Sequence, residues 1–394
     1  MTLTKSSIST QAPPGWLITL LAVACGLTVA NLYYAQPLLA ELSQSFSISK
    51  VVAGGLITAT QVGYAAGMLF LVPLGDRAET RRLVSVLLVI TTIGMAVAGF
   101  APSFPVLLAG ALISGATSVV VQILVPFAAG LAPDHLRGRI VGRVVAGLLT
   151  GVLLSRTIGS WLAEATSWRV VFLTAAGFMA VLAVALRFAL PRRAPSTTVA
   201  YGALLRSTVR LARTHPELRR RALYQAAMFG AFSAFWTTVS YVLTSPPFGY
   251  SQLGVGLFAL VGAGGALAAP LAGRWADRGL SKPLTATAFG VAAVAFGVAG
   301  FGRHSIVLLA VAAVAIDMAV QSTLVFGQHT IYRLDASARA RLNSVYLATF
   351  FLGGAAGSEL GSLAYDLTGW TGLVVFGAIL PILALLFWLT EKRT

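Results

Sequence analysis

Apolar stretches of about twenty residues recur along the whole chain, separated by short polar or Pro/Gly breaks. A helix crosses ~30 Å of hydrocarbon with ~20 apolar residues. In lipid only helices and closed barrels satisfy every backbone polar group. The runs predict twelve spans, at 16–38, 51–74, 83–101, 105–130, 140–163, 169–190, 221–244, 253–273, 283–301, 305–331, 341–365 and 371–390. Of the 394 residues 57% are apolar and 10% charged, against about 25% charged in a soluble domain. A water-soluble fold is therefore excluded, and an all-α membrane protein is expected. The polar start before Trp16 reads as the approach to a retained first span, not a cleaved signal peptide.

The net charge of +16 would suggest nucleic acid in a soluble chain. Its placement gives another reading. With the N-terminus set inside, 24 of the 28 Lys and Arg fall on inside segments, and only Lys50, Arg169 and Arg303 fall outside. Arg156 alone lies within a span. Such a bias orients a membrane protein, with both termini cytoplasmic, and it removes nucleic acid as a partner. The Arg-rich connection 191–220 parts six spans from six, giving bundles at 1–190 and 221–394. Its segment 201–221 can form an amphipathic helix, with Leu204, Leu205, Val209 and Ala212 toward lipid. The alternative is a plain charged linker.

Chemistry-bearing motifs are few. Cys25 is the only cysteine, so no intrachain disulfide and no Cys-based metal site can form. No phosphate-binding Gly-rich loop is present, no metal-ligand cluster, and no cofactor is expected. An embedded enzyme would need clustered acids, and a transport-dead sensor would need a soluble domain for which the chain leaves no room. Energy must come from an ion gradient or from the gradient of the substrate.

The chain repeats itself. Pro73-Leu74-Gly75-Asp76-Arg77-Ala78-Glu79-Thr80-Arg81-Arg82 follows span two, and Gly273-Arg274-Trp275-Ala276-Asp277-Arg278 follows span eight, 201 residues later. At an offset of 202, Arg139 matches Arg341, Gly151 matches Gly353 and Gly159 matches Gly361. Two segments with nearly one offset predict two pseudo-symmetric six-helix bundles, a construction known in transporters.

Six plus six spans, a long central inside loop and Gly-x-x-x-Asp-Arg-type loops after spans two and eight resemble the major facilitator superfamily over the whole chain. The run Asn31-Leu32-Tyr33-Tyr34-Ala35-Gln36-Pro37-Leu38-Leu39 is similar to the bacterial sugar-efflux and drug:proton antiporter branch. There are departures. Val72 and Glu79 stand where the loop pattern has Gly, as does Leu280 in the second copy. Ala111 stands where many drug antiporters carry Arg, span one has no acid, and Arg156 stands near an expected Pro. The resemblance implies a monomeric secondary transporter of the bacterial inner membrane that alternates access by rocking its bundles. It also implies a cytoplasmic gate of Gly75, Asp76, Arg77, Arg81, Arg82, Gly273, Asp277 and Arg278. Asp76 and Asp277 would pair with Arg77 or Arg278, or serve as ordinary caps.

Ionisable residues inside a span are costly and mark function. Asp317, Arg156 and Glu359 are the three. Asp317 lies near the midplane of span ten and shares a helical face with Gln321 and Gln328. It is expected to be a proton site or a substrate-binding carboxylate, or else a structural Asp on a fixed donor. Arg156 and Glu359 fall one residue apart in the 202 repeat, which suggests a charge set with Asp317 that re-pairs between access states. Further cavity candidates are Asn31 and Tyr34, Gln61 and Tyr64, Ser118 and Gln122, and Phe232, Phe235 and Trp236. Gly147, Gly151, Ser155 and Gly159, Gly353, Gly357 and Gly361, and Gly63 and Gly67 form small-residue ridges, expected as sliding surfaces between the bundles.

The expected partners are a small-molecule substrate, protons and the lipid bilayer. Proton-coupled efflux of a small amphipathic compound or sugar-like metabolite is the reading that fits. Import or uncoupled facilitation is the alternative.

Overall fold

The computed structural model describes residues 13–391, apart from 134, 194–196, 198 and 336–337 and the side chains of Ala266 and Leu267. Lys5, Lys392 and Arg393, used for orientation, lie outside the described residues. Every regular element described is helical. Ten helices are long and apolar enough to cross a membrane. The last of them, Arg339–Leu389, holds two spans parted at Gly369, whose φ of 67° is open to glycine and strained for other residues. Gly15–Ala30 and the short helices after it supply the remaining span, which makes twelve.

The spans match the apolar runs, and three of them are broken midway. Span one stops at Ala30, turns through Asn31–Ala35 and resumes in the 3₁₀ turn Gln36–Leu38. Span four is Phe104–Thr117 followed by Val120–Leu131. Span eight is Gln252–Ala259, a 3₁₀ turn Leu260–Gly262, then Ala263–Asp277. Irregular backbone at this depth is tolerated only where protein or a cavity surrounds it. The breaks in spans one and four are buried, and that in span eight is partly buried. The other spans are Lys50–Phe70, Thr80–Gly99, Arg137–Ala165, Trp168–Ala189, Pro216–Thr244, Ser281–Phe301 and Ile306–Ile331. The end bearing the Arg-rich connections is called the basic end below, and the opposite end the far end.

The small-residue ridges correct an expectation. A methyl on Gly151 would land on the carbonyl of Gly26, and one on Gly147 on that of Ala22. In the second bundle Gly357 meets the carbonyl of Gly230, and Gly353 that of Ala226. Gly63 and Gly67 face Leu112 and Ala116 of span four. These ridges are packing seams inside each bundle, not sliding surfaces between bundles, because backbone-to-backbone approach in lipid needs small residues on both sides. The helices of spans five and eleven begin at Arg137 and Arg339, an offset of 202.

The connection between the bundles contains a helix, Tyr201–Thr214. Leu204 and Thr208 are buried, while Arg206, Arg210 and Arg213 are exposed. Leu204 therefore faces protein, where the amphipathic reading had placed it toward lipid. Tyr201 Oη donates to the Phe70 carbonyl of the first bundle at 2.6 Å, and Arg341 of the second donates to Ser207 Oγ at 2.7 Å.

The two bundles meet closely toward the far end. Span five touches span eight there: Thr157 Oγ1 donates to the Gly256 carbonyl at 2.9 Å, and Glu164 accepts from the Leu253 N–H. Tyr241 and Tyr365 stack with centroids 5.8 Å apart, and the Lys50 ammonium lies over both rings. Toward the basic end span five separates from span eight: Arg139, Gly142 and Arg143 are exposed.

Candidate functional site

Arg156 sits in the far-end half of span five and is only 3% exposed. Its Nε donates to Gln36 Oε1 at 2.7 Å. Gln36 can reach it because span one breaks at Asn31–Ala35 and turns the following residues inward. The guanidinium carbon lies 4.5 Å from the Trp236 ring centre, 4.9 Å from Tyr33 and 5.5 Å from Phe232. Desolvated contacts of this kind are worth about 2 kcal/mol or more each. They fix the plane of the cation and shield it from lipid.

Asp317 approaches from span ten and is 5% exposed. Its Oδ1 accepts from Trp236 Nε1 at 2.9 Å. Two glycines of span eight make its place. A methyl on Gly262 would lie 2.8 Å from Asp317 Oδ2, 3.3 Å from Trp236 and 3.6 Å from Arg156 Nη1. A methyl on Gly265 would lie 2.7 Å from Asp317 Cβ. The carboxylate and the guanidinium thus face each other over the bare backbone of Gly262. They attract across this gap without a direct ion pair among the described residues. Arg156 belongs to the first bundle and Asp317 to the second, so the gap lies on the bundle interface. Such an arrangement can exchange partners when the bundles move. Trp236 touches both charges and links them.

Glu359 stands apart from that pair. Its Oε2 accepts from Thr58 Oγ1 at 3.1 Å, where spans two and eleven meet. The expected three-member charge set is therefore a pair plus a separate interface carboxylate. Gln321 is half-buried on the face of Asp317. Gln328 lies lower, donating to Asn343 Oδ1 at 3.0 Å, and Tyr332 Oη donates to the same atom at 2.9 Å. Burial pushes the Tyr332 hydroxyl up to about 12, against the opposing pull of Arg339, so it remains a donor.

The remaining cavity candidates form two groups. Asn31 Nδ2 donates to Ser118 Oγ at 3.1 Å and Gln122 Nε2 to Tyr64 Oη at 3.2 Å, both inside the first bundle. Gln61 Nε2 donates to Ser233 Oγ at 3.0 Å, across the bundle interface. Phe232 and Phe229 stack at 5.2 Å, and Tyr64 and Phe351 lie 4.4 Å apart, so aromatic rings line the interface below Arg156. Phe235 packs against Trp236, Phe296 and Trp370 within the second bundle. Tyr34 is buried beside Gly159 in the apolar core of the first bundle.

The gate residues fall into two unequal sets. Asp76 is half-buried. With Leu204, Ser207 and Arg341 it lines a cavity of about 410 Å³ at the basic end, where Arg341 attracts it. Gly75 packs near Ile123, Arg81 is half-buried, and Arg77 and Arg82 are exposed. Asp277 is 81% exposed, with His329 Nε2 at 4.0 Å, and Arg278 is exposed. Asp76 thus faces a cation of the other bundle, Arg341, where Arg77 or Arg278 had been expected. Gly273 has open space around it.

Sequence reasoning missed Tyr33, Gln36, Gly262 and Gly265 as parts of the charged site. Tyr33 and Gln36 lie in the Asn31–Leu39 run, so a signal was present for them. The two glycines carried none apart from their clustering in 262–265.

The family model of the Major Facilitator Superfamily matches residues 19–333 and, in an overlapping match, 257–394. The putative uncharacterized transporter YgaY of Escherichia coli (strain K12) is 41% identical over 372 residues, 94% of each chain. The chloramphenicol efflux pump Rv0191 of Mycobacterium tuberculosis is 28% identical over 352 residues, 83% of this chain and 80% of its own. The nucleoside transporter NupG superposes with a TM-score of 0.77 at 12% identity, over 95% of this chain and 99% of that one. The last likeness concerns the fold alone.

Proposed function

This chain belongs to the major facilitator superfamily, and we propose that it exports a small amphipathic compound or sugar-like metabolite in exchange for protons. It is a multi-pass membrane transporter, not an enzyme. In the proposed cycle the bundle 1–190 rocks against 221–394 in the bacterial inner membrane, with the linker 191–220 and both termini in the cytoplasm. The observation that carries the reading is the Arg156–Asp317 pair, held apart over Gly262 on the interface between bundles. When the bundles move, the distance between the two charges changes. Asp317 can then hold a proton where Arg156 is distant and lose it to water where Arg156 draws near and favours the carboxylate. Trp236 and Phe232, beside the pair, offer flat apolar contact to a ligand. A relative named as an efflux pump supports the outward direction. A working monomer is proposed, since the pair lies wholly within one chain.

Import or uncoupled facilitation is the second reading, favoured by the absence of an acid in span one and by Ala111 at an antiporter Arg position. One experiment separates the two. Inside-out vesicles containing the protein are acidified internally, a pH-sensitive dye is followed, and candidate compounds are added singly. Export by exchange requires that a compound releases protons from wild-type vesicles and not from Asp317→Asn vesicles. Equilibration of a labelled compound with no proton movement selects facilitation.

A further inference from the structure

Beside Arg156, toward the far end, the protein encloses a cleft with about 10 Å³ of room, space for one oxygen-sized group. Three buried polar atoms of its lining residues make no hydrogen bond among the described residues: Arg156 Nη2, Gln36 Nε2 and Ser240 Oγ. The first two can only donate, and the hydroxyl can do either. Among the described residues no carboxylate lines the cleft. The rest of the wall is apolar, from Pro37, Val239, Val255 and Phe258. Buried donors left without an acceptor are costly, so this constellation is complementary to an acceptor.

The charge of that acceptor follows from the neighbouring pair. In the state in which Asp317 is ionised, it balances Arg156 across Gly262. A carboxylate entering the cleft would be a third charge in a low-dielectric site with no counter-ion of its own. An ammonium would meet only donors and a cation. A carbonyl or amide oxygen satisfies the donors and leaves the charge balance unchanged. We infer that this cleft is the polar subsite of the transported compound, and that it takes one uncharged acceptor oxygen carried on an apolar body. The identification of the ligand as cargo rests on the transport reading above, while the chemistry of the cleft does not.

The test is isothermal titration of the purified full-length protein with 2-naphthamide, 2-naphthoate and 2-naphthylmethylammonium, which share size and apolar body and differ in charge. The amide is expected to bind at least about tenfold more tightly than either ion. Ser240→Ala, which removes one atom from the cleft, is expected to weaken the amide about threefold to tenfold and to leave the ammonium unchanged. Gln36→Leu should weaken the amide by more. Should that variant fail to fold, Ser240→Ala decides the matter.

Tighter binding of the naphthoate or the ammonium overturns the proposal, and so does an amide affinity indifferent to Ser240→Ala. Absence of binding by all three also overturns it and leaves the cleft as a site for water only. Because binding is read without proton movement, the two readings fail separately. Amide binding with no proton exchange removes the antiport reading alone. Proton exchange without amide preference removes the subsite alone.

Discussion

A guanidinium stacked on Trp236 and Tyr33, and held at Nε by Gln36, has one orientation. Lysine keeps the charge but has neither the planar fork nor an Nε–H in that direction. Arg156→Lys should therefore fold and reach the membrane, and transport should fall by about tenfold or more, the loss expected when one charge-assisted hydrogen bond goes. Uptake into vesicles at matched protein levels checks this, and a near-normal rate would remove the positioning role of Gln36. The sequence marks Arg156 and Asp317 because a charge inside an apolar run is conspicuous. It does not mark their partner. Glu359 is equally conspicuous by that rule, yet it pairs with Thr58. The rule reports a charge's cost and says nothing of which neighbour offsets it. Gly262 escapes sequence reading for a related reason: its part in the site is to be absent as a side chain.

At the scale of helices, the seams between spans one and five and between seven and eleven depend on backbone contact. Gly151 on Gly26 and Gly357 on Gly230 leave no space for a methyl group. Gly151→Ala and Gly357→Ala should each cost about 1–3 kcal/mol through overpacking, read as a lower thermal unfolding midpoint of the purified protein. Gly177→Ala in span six, where nothing lies within 4 Å, should be neutral or slightly stabilising. Equal midpoints for all three would refute the seams. The existence and length of the twelve spans were legible because lipid demands ~20 apolar residues from each. The breaks in spans one, four and eight were not, since a turn buried in protein has the same apolar composition as the helix around it. The ridges were legible as ridges. Their partners were not, because spacing along one helix does not say which helix it faces.

For the whole molecule, the bundles are closed toward the far end by Thr157–Gly256, Glu164–Leu253 and the Lys50–Tyr241–Tyr365 stack. If this closure is one half of a rocking cycle, holding it shut must stop turnover. Joining Glu164→Cys to Leu253→Cys with a short reducible bis-thiol reagent should abolish transport, and a reductant should restore it. Full activity of the joined protein would argue against rocking about this contact. Native Cys25 is buried and does not compete. The two-bundle plan was readable from the repeat and the Arg placement. Which end is closed was not, because one sequence must stabilise both access states to within a few kcal/mol.

The central claim is that Asp317, facing Arg156 across the bundle interface, couples proton movement to substrate movement. Its most direct test uses proteoliposomes, a labelled compound that releases protons in the vesicle assay, and an imposed pH gradient. Wild type should accumulate the compound against its own gradient. Asp317→Asn should still exchange labelled for unlabelled compound, yet lose uphill accumulation entirely. Uphill accumulation that survives in Asp317→Asn would contradict the account and place the coupling group elsewhere.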